Sequence, residues 1–81
     1  MTERLTTLDR LRKGQIARIV DIYGGHGIRQ RLAHMGMYPG DQLEVLQIGL
    51  FGGPVLIRVN GVELAIGRGM ARKIAVEVQR E

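Results

Sequence analysis

Val55, Ile57 and Val59 alternate with Leu56, Arg58 and Asn60, and Val62, Leu64 and Ile66 alternate with Glu63 and Ala65. A period of two is the mark of a strand with one covered face. Between the two runs stands Asn60-Gly61, a pair suited to a type I′ turn, whose two central residues both need positive φ. The spacing therefore predicts a β-hairpin. Ile74, Val76 and Val78 alternate against Ala75, Glu77 and Gln79 as a final strand. Two more strands are expected over residues 15–22 and 41–48. The first alternates imperfectly, because Ile16, Ile19, Val20 and Ile22 fall on both faces, as expected of a strand whose two faces are partly covered.

The period changes after the loop Gly24-Gly25-His26-Gly27. Ile28, Leu32 and Met35 recur at helical spacing and form one apolar stripe, with Arg29, Gln30, Arg31 and His34 mainly off it. Gly36 stands where a left-handed C-terminal cap belongs, so the helix is short, about two to three turns. Pro39-Gly40 then predicts a type II turn. Residues 7–11 read as a short helical turn capped by Thr7 and closed by Lys13-Gly14. Residues 49–54 read as a loop and residues 67–71 as a turn. The sum is a mainly β fold: a small antiparallel barrel of about five strands with one short inserted helix. Closure into a barrel removes exposed edges. The final strand, polar on one face, is expected at an edge, paired with the first.

Length and composition narrow the functions available. The chain has 81 residues and reads as a single domain over residues 1–81. Its 44% hydrophobic content is enough to meet the entropy cost of folding, which argues against disorder. A domain this small has little core from which to carve a deep enzyme pocket. With no Cys, it has no disulfide framework, thiolate metal site or Cys nucleophile. No apolar h-region follows the start and no apolar run approaches the length of about 18 residues that spans a bilayer, so a cytoplasmic location is expected. Lys plus Arg exceed Asp plus Glu by 12 to 8, a net charge of +4. The excess is modest and dispersed, and Tyr23, Tyr38 and Phe51 are the only aromatics to stack on bases. A nucleic-acid-binding barrel is kept as an alternative, and no nucleic acid is expected as partner.

Candidate chemistry is sparse. The glycine loop before the helix lacks both the dinucleotide and the Walker spacing, so its glycines are read as serving backbone freedom. His26 and His34 are the weak metal-ligand candidates, fewer than the three or four ligands a zinc site wants. No cofactor is expected beyond a weak divalent metal, which leaves a metal-binding regulator as a second alternative. Ser is absent and the threonines cluster near the start, so no nucleophile constellation forms and the protein is read as a non-enzyme. The apolar tip Leu50-Phe51 has two readings: it folds back to cap the barrel, or it is an exposed anchor for a partner.

The ordered set of motifs resembles the FeoA family, the ferrous iron transport protein A domain. It begins with Leu8-x-x-Leu11-x-x-Gly14 and the apolar run that follows. Its specific part is Arg31-Leu32-Ala33-His34-Met35-Gly36-Met37-Tyr38-Pro39-Gly40, and Leu43-Glu44-Val45 comes after it. Gly53-Pro54, Leu64-Ala65-Ile66, Met70-Ala71 and Ile74-x-Val76 complete it. The resemblance implies an SH3-like barrel without catalytic residues. It also implies a cytoplasmic accessory protein that binds and modulates the ferrous iron transporter FeoB at its cytoplasmic face. Related domains end DtxR-like repressors, and the stand-alone form fits this chain better. The candidate partner-binding residues are Arg29, Arg31, Leu32 and His34 on the helix with Leu50 and Phe51, although Leu32 shares the core stripe with Ile28. A homodimer is a further possibility for the assembly.

Overall fold

The computed structural model describes residues 4–80. Six strands form one antiparallel sheet: β1 (Arg4–Thr7), β2 (Ile16–Ile22), β3 (Gln42–Ile48), β4 (Val55–Val59), β5 (Val62–Ile66) and β6 (Ile74–Arg80). Helix α1 (His26–His34) is inserted between β2 and β3, and the single-turn helix α2 (Arg68–Ala71) between β5 and β6. Short 3₁₀ turns occupy Leu8–Arg10 and Leu50–Gly52. The sheet order is β1-β6-β2-β3-β4-β5. The expected mainly β, SH3-like architecture is present, with six strands where five were expected.

The sheet has one apolar face and wraps it around one core. Leu8, Ile19, Ile22, Leu32, Met37, Leu43, Ile57, Ile66 and Ile74 are its largest buried apolar side chains. Irregular pairing supplies the bending. In β2 the register against β6 shifts between Ile19 and Asp21, and in β3 the register against β4 shifts between Val45 and Gln47. An extra residue at such a point resets which side chains face inward and sharpens the local twist. That explains the imperfect alternation of β2. Ala17 and Ile19 point inward, Val20 takes up the extra place, and Ile22 points inward again. The strand has one covered face and a bulge, not two partly covered faces.

Four sequence expectations change here. Strand β1 is not signalled by its sequence: Arg4-Leu5-Thr6-Thr7 carries no alternation, and the strand forms as an antiparallel ladder with β6. Strand β6 pairs with β2 as expected, but it also pairs with β1 and so lies inside the sheet. An inner strand of a one-layer antiparallel sheet needs only one apolar face, and the Glu77 carboxylate on the other face accepts a hydrogen bond from Arg18. Last, the hydrogen-bonded circuit does not close, because β1 and β5 end the order. Thr7 does not cap the following turn either; its hydroxyl donates to the Asp9 carboxylate at 2.5 Å.

The segment after α1 behaves as its sequence requires. The Gly36 N–H donates to the Ala33 carbonyl at 2.9 Å, and the Met37 N–H reaches back to the Leu32 carbonyl at 2.9 Å. Gly36 has φ +86. This is a Schellman ending, and its apolar partners Leu32 and Met37 are both buried. The Asp41 N–H then donates to the Tyr38 carbonyl at 3.1 Å, closing the Pro39-Gly40 turn. Asn60-Gly61 closes the β4–β5 hairpin with positive φ at both residues, and Asn60 Nδ2 donates to Asp41 Oδ2 at 3.3 Å. The hairpin tip is thereby tied to the Pro39-Gly40 turn.

Two glycine substitutions, one within α1 and one just beyond it, are expected to act with opposite sign. At Gly36 a Cβ meets the left-handed penalty, so Gly36→Ala should cost about 1–2 kcal/mol. Gly27, inside the helix, has no neighbour within 4 Å of an added Cβ, and Gly27→Ala should gain up to about 1 kcal/mol. Urea denaturation midpoints at unchanged slope check both.

Candidate functional site

Loop 49–54 joins β3 to β4 and is built as a closed clasp. The Gly49 N–H donates to the Pro54 carbonyl at 2.9 Å, and the Gly53 N–H donates to the Leu50 carbonyl at 2.9 Å. The two ends approach so closely that a Cβ on Gly49 would sit 2.6 Å from both the Gly53 carbonyl carbon and the Pro54 oxygen. No side chain fits there, which fixes glycine at 49. From the α2 turn, Arg68 donates through a guanidinium nitrogen to the Gly49 carbonyl at 3.2 Å.

The clasp presents the two side chains at its tip to solvent. Leu50 is 81% exposed and Phe51 104% exposed. Phe51 also holds φ 54 and ψ 42, the left-handed region that bulky residues avoid at a cost of about 1–2 kcal/mol. Of the two readings left open by the sequence, the tip does not fold back over the barrel. Tyr23, Tyr38, Leu5 and Val62 are also exposed, but no other large apolar residue among the described residues is as bare as this pair.

A second feature adjoins the first through α2. Gly27, Ile28 and Arg31 of α1 face Gly69 and Met70 of α2 and the following Lys73 across an open groove of about 410 Å³. Its floor is apolar, from Ile28 and Met70, and its rim is cationic, from Arg31 and Lys73. The α2 turn thus carries Arg68, which holds the clasp, and Met70, which lines the groove.

The residues singled out on the helix divide between different faces. Leu32 is completely buried and belongs to the core, so it cannot meet a partner at the surface. Arg31 lines the groove. Arg29 lies on the other side of the helix and donates to Asp21 at 3.1 Å. His34 is exposed at the last position of α1. His26 was expected in the preceding loop, but the helix begins there, one residue after its Gly25 cap position. Eight residues of helix rise separate the two histidines by about 12 Å, too far to share one ion. Among the described residues no group of three or more His, Asp or Glu side chains is placed to hold a metal.

Sequence reasoning missed two positions of the site. Arg68 carries no motif, and its role exists only because the β5–β6 connection passes beside the β3–β4 loop. Gly49 had a visible signal, since glycines at 49, 52 and 53 around an apolar pair suggest a close backbone approach. Among the described residues, Arg18 pairs with Glu77, Arg29 with Asp21 at 3.1 Å, and Arg58 with both Glu44 at 3.7 Å and Glu63 at 3.0 Å. No helix among the described residues is long and apolar enough to cross a membrane.

Comparison with known proteins places this arrangement in a family. A protein of Methanocaldococcus jannaschii named "Putative Fe(2+) transport protein A" is 41% identical over 66 residues, covering 82% of this chain and 78% of the relative. A crystal structure of the iron uptake regulatory protein FeoA superposes with a TM-score of 0.84 at 37% identity, over 94% of this chain and 99% of the other. A manganese-dependent transcriptional repressor shares the fold alone, with a TM-score of 0.87 at 20% identity over 98% of this chain and 44% of the repressor. The FeoA domain model matches residues 6–78. With the match spanning nearly every described strand, the chain belongs to the FeoA family, whose members serve ferrous iron transport.

Proposed function

We propose that this protein is a non-enzymatic accessory subunit that docks on the cytoplasmic face of the ferrous iron transporter FeoB and modulates it. The observation that carries the reading is the Leu50-Phe51 tip, two bare apolar side chains on a clasp closed by hydrogen bonds. Exposing two large apolar side chains to water is unfavourable, and holding Phe51 left-handed costs backbone energy that the clasp beneath must offset. A partner rewards the arrangement, because aromatic and aliphatic anchors supply most of the affinity at interfaces. The preset shape of the clasp lowers the ordering cost of binding. The adjoining groove adds cations at Arg31 and Lys73, which suits a partner surface bearing carboxylates beside apolar residues.

The test is an amide NMR titration of the labelled chain with the cytoplasmic domain of the cognate FeoB, with and without a GTP analogue. Shifts confined to residues 49–53 and to the groove support the reading; an unchanged spectrum at high concentration overturns it. Phe51→Gly should weaken binding by about thirtyfold, equivalent to about 2 kcal/mol, while leaving stability equal or up to about 1 kcal/mol higher. Wild-type affinity in that variant removes the tip from the interface. Gly49→Ala keeps both anchors but forces the clasp open, and should weaken binding without deleting any contacting side chain.

A further inference from the structure

Among the described residues, β5 has a strand neighbour on one side only. Its pairing with β4 runs without a break, from Val59↔Val62 at the turn to Val55↔Ile66 at the far end. A two-residue turn makes the closing pair hydrogen-bonded, and such pairs alternate along an antiparallel ladder. The backbone groups of Val62, Leu64 and Ile66 therefore point at β4, and those of Glu63 and Ala65 point away to the open edge. This edge is lightly guarded: the strand is short and carries one charge, Glu63, but contains no Pro, no Lys and no bulge. Val62 is 53% exposed and Leu64 half-buried, so its inward-facing row is also incompletely covered.

We propose that this edge pairs with the β5 edge of a second copy of the chain, antiparallel about a two-fold axis through Leu64. Only outward-pointing residues can bond across the new ladder, which restricts the register. Centring on Glu63 sets two carboxylates opposite each other. Centring on Ala65 leaves the first part of the strand unpaired. Centring on Leu64 sets Glu63 opposite Ala65 of the second copy, twice, and gives four hydrogen bonds between N–H donors and carbonyl acceptors. It also aligns Leu64 with its own copy and Val62 with Ile66, continuing the apolar row from one barrel to the next. Each Glu63 keeps its own Arg58, bonded at 3.0 Å. Strand and edge are thus self-complementary in hydrogen bonds and apolar character, with no like charges directly opposite, which is what an isologous contact requires.

The test uses the chain alone, so it is independent of transporter binding. Sedimentation equilibrium from micromolar to millimolar concentration should show a monomer–dimer equilibrium. Over that range amide exchange at Glu63 and Ala65 should slow at least tenfold, while neighbouring exposed loop amides stay unchanged. Ala65→Pro removes an N–H that β4 does not use and should abolish the dimer at native circular dichroism. Should that variant unfold, Leu64→Lys and Leu64→Glu decide: each alone should be monomeric, and their mixture should form a heterodimer through the pair on the axis. A monomer at millimolar concentration overturns the proposal, as does a dimer that survives Ala65→Pro. Protection of Glu63 and Ala65 that arises only when another protein is added also overturns it, because the edge then accepts a foreign strand.

Discussion

A single antiparallel sheet with one apolar face must bend far enough to cover that face with itself, and everything else in this fold depends on how it does so. The extra residues at the register shifts in β2 and β3 provide the bend. Each lets the strand change direction while returning its next apolar residue to the inside. Without the shift near Val20, the inward phase set by Ala17 and Ile19 would send Ile22 to solvent. The bend also determines what the helix must do. Its stripe of Ile28, Leu32 and Met35 plugs a core that strands alone leave incomplete, with only Leu32 fully enclosed.

The one-turn helix α2 joins the core to the surface features. Ala71 is buried in the core, Met70 lines the groove under α1, and Arg68 reaches the Gly49 carbonyl. A guanidinium hydrogen-bonded to a backbone carbonyl is strong because the donor is charged. It fixes the base of a loop whose tip is strained. The strain at Phe51 is therefore carried by the interactions beneath it: two cross-loop hydrogen bonds, a glycine contact too tight for any Cβ, and Arg68.

Local chemistry was legible in the sequence wherever a residue type answers to one backbone geometry. Asn60-Gly61, Pro39-Gly40 and Gly36 all fixed their turns, and β4 and β5 followed from clean alternation. What escaped was non-local. Strand β1 exists because β6 offers it a ladder, not because Arg4-Leu5-Thr6-Thr7 favours a strand. The inner place of β6 was hidden because its polar face suggested an edge, whereas its neighbours satisfy that face. In the candidate site, Leu50 and Phe51 could be named but not oriented, since exposure depends on how the loop closes. Arg29 and Arg31 sit two residues apart, and only the helix shows that they look in different directions.

The small size of the domain explains why its candidate chemistry lies on turns and edges. A core this limited cannot house a pocket without losing the burial that holds it together. What can be spared is surface: a loop tip, a shallow groove and a strand edge. These three differ in how firmly the fold sets them. The groove is floored by side chains that also pack against the core, so its shape follows core packing. The edge is fixed by the turn at Asn60-Gly61, which dictates which backbone groups point outward. The tip alone is held against its own conformational preference. A feature kept at a cost, in a domain with little stability to spare, is where a function for partner contact is most firmly argued.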